Sequence, residues 1–424
     1  MIRHSQLFCL ALTLGITSTV RADVTYGKAK EGDTDIEVVR MTVTPAAEPV
    51  PALRYRLVPR DFDLKAGNRV IYYYRAELEL DSTMKAIRAK FDEEKELGHW
   101  YGTGDEPTPI SKLPLDKVRK ANAMFEPLYR GYLQPAFELS GCDWELGVER
   151  LRGPDVISFL LPEFQNSREI ARMLSLRTRL AIAEHRYADA VETMQQNYRL
   201  GSDVARVPFL VCGLIGIAVD SITNHALLDL IANPDSPNMY WAIGELPQPP
   251  IDLRLSVRFE MDFGPRMFPF IHNAETTDHS PQEWDRLFVQ TIQDLHTVGS
   301  TRTLFSDGNI TEQRVGAGIT ATAIALAGYP HAKEWLIANG MDRERVEKMA
   351  VGQVIAIYTE RIYRRFADDW EAVWQVPFPQ AMDLMRRLNQ KLDTARPFGS
   401  GEDREVLPLV SLLLPALEAG RSAQ

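Results

Sequence analysis

The sequence predicts an all-α fold, and two observations favour it. From Asn68 onward, apolar residues recur at three- and four-residue spacing, which is the period of one helix face. Continuous alternation of apolar and polar residues, the pattern of a half-buried strand, is nearly absent. We therefore expect helical hairpins packed as a solenoid-like array behind an extended N-terminal arm. The clearest helical stripe contains Val346, Met349, Ala350, Val354, Ile357, Tyr358, Ile362 and Phe366.

The first 22 residues have the features of a secretory signal peptide. A basic N-terminus precedes an apolar run over residues 7–20, and the small residues Val20 and Ala22 suit a signal-peptidase site. The run is shorter than the roughly 20 residues of a membrane span. We expect a mature chain that begins at Asp23 and is exported, either to the periplasm or to the outside of the cell.

The next segment, residues 23–66, differs from the rest in being rich in proline and β-branched residues. Proline cannot donate a backbone hydrogen bond and disfavours a helical residue before it, so no long helix fits here. We expect an extended proline-rich arm, with one edge strand around residues 37–43. Tyr55 and Leu57 are the residues that would pack the arm against the helical body.

Residues 67–424 make up the predicted helical body, and a subdivision near residues 233–250 is left open. Three runs within it, residues 207–219, 315–328 and 406–417, are apolar on nearly all sides. Each is too short to span a membrane, so we expect buried helices and no transmembrane span in the mature chain. The predicted helices cover residues 82–97, 114–138, 167–184, 187–205, 208–232, 250–262, 281–297, 311–327, 342–370, 378–394 and 403–419.

Glycines add local detail to this prediction. Gly213 and Gly216 lie in the first apolar run, where small residues allow neighbouring helices to approach closely. Gly201 and Gly340 follow helical stripes, and glycine is common just past a helix C-terminus. We expect both of these to end helices.

Charge and composition restrict the partners. The chain has 48 basic and 58 acidic side chains, which gives a net charge of −10. An acidic protein of this kind repels phosphate backbones, so nucleic acid is excluded as an expected partner. With 45% hydrophobic and 25% charged residues, the composition is that of an ordinary folded protein.

One hairpin, residues 168–202, has a recognisable packing pattern. Tyr187, Ala190 and Met194 lie at helical spacing on one face, after a helix that carries Leu174. This pattern resembles a single tetratricopeptide unit of about 34 residues, with no second copy at that spacing. It departs from the unit at four positions: Arg177, Thr178, His185 and Ser202.

Longer stretches resemble a family of exported bacterial proteins of mostly helical build. The stretches are PVPALRYRLVP, CDWELG, LRTRLAIAEHRYADAVETMQQNYRLGSDVA, PNMYWAIGELPQPPIDLRLSVRFE and YPHAKEWLIANGMDRERVEKMAVGQVIAIY. The resemblance covers most of the mature chain. It implies export and a helical fold, and it assigns no catalytic role to any residue.

No signature of a common catalytic centre occurs in the chain. His272, Asp278 and His279 could ligate zinc, but they lack the tight spacing of metal ligands, so we expect neither a metal nor another cofactor. We therefore expect a helical scaffold or binding protein whose ligand is a protein, peptide or glycan, and not an enzyme.

The alternative is a carbohydrate-active hydrolase built as an α-helical toroid. Such an enzyme needs two carboxyl groups about 5–10 Å apart, and Glu260 and Asp262 are the best candidates. Trp144, Trp241, Trp370 and Trp374 would then be platforms on which sugars stack. An exported chain also allows a disulfide between Cys142 and Cys212, although a buried free thiol is the commoner state for Cys212 in its apolar run.

Overall fold

A computed structural model describes residues 24–31, 34–103, 107–150, 162–268, 270–299, 325–326 and 328–394. These residues are mostly helical, which confirms the predicted class. The chain divides into two compact units. Unit 1 contains the described residues of 24–146 and 162–256, and unit 2 contains those of 147–150 and 257–394. The expected signal peptide lies outside the described residues.

The first described residues form a β-hairpin. Strand β1 (Thr25–Glu31) pairs antiparallel with β2 (Thr34–Arg40), and Thr25 lies opposite Arg40. The strand that the sequence predicts around residues 37–43 is therefore the second half of a hairpin and ends at Arg40. The partner strand satisfies backbone groups that a lone edge strand would leave unpaired.

The segment between this hairpin and the first long helix has little regular structure. It contains the short 3-10 turn Asp61–Asp63 and then β3 (Lys65–Asn68), which pairs in parallel with β4 (Leu139–Gly141). Leu57 is buried in an apolar cluster with helical residues of unit 1, and Tyr55 packs against the same cluster. This contact attaches the segment to the helices.

The helices of unit 1 begin where an apolar stripe begins. The first helix starts earlier than the predicted residue 82, because its stripe already includes Val70 and Tyr73 and continues through Met84 and Ile87. Two later helices have the bounds that the sequence predicts to within two residues. The helices are α1 (Val70–Arg88), α2 (Leu115–Leu128), α3 (Pro162–Ala183), α4 (Tyr187–Ala205) and α5 (Leu210–Ala232).

The hairpin of α3 and α4 turns at His185. This residue has a φ of 57°, in the left-handed region. The backbone N–H of His185 donates to Ile182 O at 3.0 Å, and that of Arg186 donates to Ala181 O at 2.8 Å. These two bonds define the helix ending that usually contains glycine at the left-handed position. His185 therefore adopts the left-handed conformation that glycine usually supplies at such a helix ending.

Helices α3, α4 and α5 each pack against the other two and form the core of unit 1. A Cβ atom on Gly216 of α5 would lie 2.7 Å from the backbone oxygen of Gly201 on α4. Gly216 thus allows the close approach that the sequence predicts. The prediction for Gly201 is wrong, because this glycine lies inside α4 and its small size serves the same contact rather than a helix end.

Within the described part of the chain, α5 is the one helix that is long and apolar enough to cross a membrane. Of its most apolar stretch, 56% is buried inside the protein. Because α5 packs on both α3 and α4, its apolar surface is covered there by other helices. Core helices pass the same test of length and composition, so the finding is weak support for a membrane span.

Unit 2 has its own apolar core. Helices α7 and α9 pack together, and a Cβ atom on Gly352 would lie 3.0 Å from the backbone oxygen of Trp284. Trp284, Leu336 and Tyr358 are among the buried residues of this core. The long helices are α6 (Arg254–Met267), α7 (Pro281–Gly299), α8 (residues 328–338), α9 (Val351–Val373) and α10 (Phe378–Thr394). Helix α6 belongs to unit 2 from residue 257 onward.

The single helix predicted over residues 342–370 is divided in the structure. A short helix, Arg343–Glu347, is capped by the Asp342 carboxylate, which accepts from Arg345 N at 2.9 Å. The backbone is extended at Ala350, immediately before α9. Apolar spacing continues across this break, so spacing alone could not reveal it. Of the other predicted helices, residues 403–419 and most of 311–327 lie outside the described residues.

Candidate functional site

A cleft with a volume of about 330 Å³ opens in unit 1 beside α2, α3 and the start of α4. Three arginines, two acids and several small or apolar residues surround it. Its size is at the lower end of the range for small-molecule sites. The charged lining residues are Arg130, Arg177, Arg186, Glu126 and Asp189.

Glu126 lies at the centre of the first charged group. Arg130 follows it by one helical turn and donates from Nε to Oε1 at 2.5 Å, and Arg177 of α3 donates to Oε2. The Arg177 guanidinium also lies 4.0 Å from the centroid of the Tyr129 ring, within the range of a cation–π contact. One carboxylate is thus held by two guanidinium groups, one of which is itself fixed by an aromatic ring.

These contacts set the ionisation of Glu126. Partial burial alone would raise the pKa of its carboxyl group, but the hydrogen bonds from Arg130 and Arg177 outweigh burial and hold the pKa below its ordinary value. The group is therefore a carboxylate at neutral pH.

A second charged group lies at the turn between α3 and α4. Glu184 accepts from Arg119 Nε at 2.6 Å and from Arg186 Nη2 at 2.6 Å, while Arg186 Nη1 also donates to Asp189 at 2.5 Å. Burial raises the pKa of Glu184, and the two arginines more than compensate, so that the net shift is downward. This acid is likewise ionised at neutral pH.

The cleft also contains a buried amide. The Asn122 side chain donates from Nδ2 to Val118 O at 3.1 Å. Its Oδ1 atom is buried and has no hydrogen-bond partner among the residues that the structure describes. The lining thus combines fixed charges with the polar side chains of Asn122 and Thr193, an arrangement suited to the recognition of a polar ligand.

The two acids that the sequence puts forward for catalysis lie elsewhere, on α6 in unit 2. Glu260 is half-buried and Asp262 is exposed. Residues two positions apart on a helix do not face each other, so their side chains leave α6 in different directions. Tyr363 lies near both acids. Burial, and to a smaller extent the charges of Asp262 and Glu260, raise the pKa of its hydroxyl. That hydroxyl donates to Met261 O at 2.8 Å.

Cys142 and Cys212 are both free thiols in the structure. Cys212 is buried in α5. Cys142 is half-buried, and burial together with the nearby Asp203 carboxylate raises the pKa of its thiol to about 12. The disulfide that the sequence leaves open is therefore not formed here.

Among the described residues, no group of three or more His, Cys, Asp or Glu side chains is arranged to hold a metal ion. Of the tryptophans considered as sugar platforms, Trp144 is buried and donates from its indole nitrogen to Asp203 O at 2.8 Å, whereas Trp241 is 42% exposed.

Sequence reasoning missed the cleft, although one signal was present. In the resemblance to a tetratricopeptide unit, Arg177 stands at a packing position where leucine is usual. A charged side chain on a packed helix face needs a partner. That partner, Glu126, comes from a helix about fifty residues earlier, at a distance along the chain that no motif fixes.

No protein-family model matches this chain, and neither the curated proteins nor the solved structures include one that matches it.

Proposed function

We propose that the protein is an exported binding protein whose cleft recognises a carboxylate group of a peptide. The observation that carries this proposal is the carboxylate of Glu126, which is held by Arg130 and Arg177 at the edge of the cleft. Guanidinium groups bind carboxylates through paired, charge-assisted hydrogen bonds. A ligand carboxylate would accept further hydrogen bonds from the same arginines.

The arginines retain capacity for a ligand. The Arg130 side chain is 73% exposed, and it contacts Glu126 through Nε, one of several donors that a guanidinium offers. Arg186 is about half exposed and lines the same cleft. A peptide C-terminus or an acidic side chain fits both the charge and the volume of about 330 Å³.

Binding is favoured over hydrolysis because of the ionisation of the acids. A glycosidase needs one carboxyl group with a raised pKa to act as the general acid. The pKa values of Glu126 in the cleft and of Glu184 at the neighbouring turn are both lowered by arginines. Glu260 and Asp262, the candidates of the alternative hydrolase, leave their helix in different directions.

A peptide titration tests the proposal. An N-acetylated tripeptide with a free C-terminal carboxylate should shift the NMR signal of the Arg130 Nε–H saturably, and the C-terminally amidated peptide should not. Arg130→Gln should weaken binding about tenfold, the size of one charge-assisted hydrogen bond. Arg60→Gln is the matched control, because Arg60 is also exposed and paired with a nearby acid, Asp63. Equal affinity for both peptides, or no effect of Arg130→Gln, would refute the proposal.

Export and the array of hairpins are parts of the same proposal. The signal-like residues 1–22 support export, and the mutual packing of α3, α4 and α5 supports a solenoid-like array of hairpins in unit 1. Mass analysis of the N-terminus after expression in an exporting bacterial host should find Asp23 or a close neighbour as the first residue. Exported protein that retains Met1 would contradict this.

A further inference from the structure

The short helix Tyr240–Gly244 of unit 1 presents two aromatic side chains to solvent. Tyr240 is 71% exposed and Trp241 is 42% exposed. Their ring centroids are 5.1 Å apart, and the ring planes meet at 83°. Tyrosine and tryptophan are enriched at binding interfaces, where one end of the side chain is apolar and the other is polar.

The opposite face of this helix is anchored in the protein. Met239 and Ala242 are buried in the apolar cluster that also contains Leu57. Asn238 fixes the start of the helix, since its Oδ1 accepts from Tyr240 N at 2.9 Å and its Nδ2 donates to Ala46 O at 3.2 Å. The backbone that carries the two rings is therefore held on two sides.

A carboxylate lies beside the rings. Trp241 donates from its indole nitrogen to Glu48 Oε1 at 2.7 Å, and Glu48 is exposed. This bond fixes the orientation of the indole before any ligand binds. Nothing in the described part of the chain hydrogen-bonds the second oxygen of Glu48.

We propose that Tyr240, Trp241 and Glu48 form a binding site for an organic cation, namely a quaternary or methylated ammonium group. The faces of aromatic rings carry negative charge density and attract cations, and tryptophan and tyrosine do so most strongly. Two rings at a right angle offer two such faces to one compact cation, and Glu48 supplies a full negative charge next to them. The protein's net charge of −10 acts in the same direction.

This site is independent of the function proposed above, since it shares no residue with the lining of the charged cleft. Sugars also stack on exposed aromatic rings, and their hydroxyl groups can donate hydrogen bonds to a carboxylate, but only a cation is attracted both by the ring faces and by the charge of Glu48. The carboxylate beside the rings is therefore the feature that selects a cation.

The test compares two isosteric probes, choline and its uncharged analogue 3,3-dimethyl-1-butanol, on the mature protein. The indole N–H signal of Trp241, assigned by its loss in Trp241→Phe, reports binding by NMR. Choline should shift this signal saturably with a Kd of about 1 mM, typical of a cation bound by a few aromatic contacts. The analogue should bind at least about tenfold more weakly, because it lacks the charge.

Substitutions of the site residues test the same proposal. Glu48→Gln and Tyr240→Ala should each weaken choline binding several-fold with unchanged circular dichroism spectra. Phe62→Ala is the matched control, because Phe62 is a fully exposed aromatic outside this site, and it should leave binding unchanged. Equal affinity for choline and its analogue would overturn the proposal. Saturable binding of maltotriose without any response to choline would overturn it as well and would indicate a sugar site.

Discussion

Asp203 and Asp220 are both buried carboxyl groups in the helical core of unit 1, yet they are in opposite situations. Asp203 is 1% exposed and accepts from Arg69 Nη2 at 2.6 Å and from the Tyr73 hydroxyl at 2.8 Å. Asp220 is 7% exposed, and its Oδ1 has no hydrogen-bond partner among the described residues. Burial alone raises the pKa of Asp220 to about 7.

The difference follows from what each carboxyl group faces. Asp203 faces Arg69, which also donates to the carbonyls of Leu139 and Ser140 at 2.8 Å each and so connects α4 to the residues of β4. Asp220 faces the close contact of α4 with α5. A Cβ atom on Gly201 would lie only 2.6 Å from Asp220 Oδ1. The glycines that bring two helices together leave no space for a cationic side chain. Tight packing and ionic pairing are thus alternatives at this interface.

The largest effect is expected from Arg69→Met. Methionine keeps much of the volume but removes the cation that is hydrogen-bonded to the buried Asp203, which costs about 3–5 kcal/mol of the free energy of unfolding. Urea unfolding at pH 7, followed by far-ultraviolet circular dichroism, measures this loss. Lys85→Met is the control, because Lys85 forms an exposed ion pair with Asp81, and such pairs contribute at most about 1 kcal/mol. Similar losses in the two variants would mean that Asp203 does not depend on its cation.

Asp220→Asn should remove a pH dependence. The pKa of this carboxyl group is about 7 in the folded protein against an ordinary value of 3.8, so the folded state retains a proton that the unfolded state loses. Its contribution to stability is therefore complete below pH 4, falls as the pH rises, and is lost above pH 7. The loss is on the order of 4 kcal/mol.

The stability difference between Asp220→Asn and the wild type should thus increase in favour of the variant from pH 4 to pH 7 and then stay constant. Urea unfolding at several pH values measures it. Asp229→Asn is the matched control on α5, because Asp229 pairs with Arg179 at 2.8 Å, and this variant should lose stability at pH 7. A difference that does not change with pH would show that Asp220 titrates normally.

Gly216→Ala tests the packing side of the comparison. The added methyl group would lie 2.7 Å from Gly201 O and 2.9 Å from Ala205 Cβ, so α4 and α5 must separate. Overpacking of this kind costs about 1–3 kcal/mol. Gly244→Ala adds the same methyl group where nothing lies within 4 Å, and it should leave thermal stability unchanged or raise it. Equal melting temperatures of the two variants would contradict the close contact.

The helices could be predicted from sequence where packing follows local periodicity. Helix α4 has the predicted bounds 187–205, and α10 the predicted bounds 378–394, because one apolar stripe defines each of them. Asp220 was harder to interpret. It directly follows the apolar run of residues 207–219 and lies within the helix predicted over residues 208–232, but the pattern does not show that α5 buries its side chain.

The cleft could not be predicted because it depends on pairing between distant segments. Glu126 meets Arg177 across 51 residues, and outside the cleft Arg69 meets Asp203 across 134. Periodicity shows which face of a helix is buried but not which helix covers it. The sequence shows that Arg177 is a charged residue at a packing position, but it does not show that Glu126 is its partner.

The smallest expected effect concerns two tyrosines, one beside each carboxyl group. The Tyr73 hydroxyl donates to the ionised Asp203, whereas the Tyr198 hydroxyl donates to the neutral amide oxygen of Asn224 at 2.7 Å. Hydrogen bonds to charged groups contribute about 1.5–3 kcal/mol, and those between neutral groups about 0.5–1.5 kcal/mol. Tyr73→Phe should therefore reduce the free energy of unfolding by about 1 kcal/mol more than Tyr198→Phe. Both tyrosines are buried, so each variant removes one hydroxyl from a similar environment. If urea unfolding at pH 7 gave equal losses, Asp203 would behave as a neutral acceptor, and the contrast with Asp220 would rest on geometry alone.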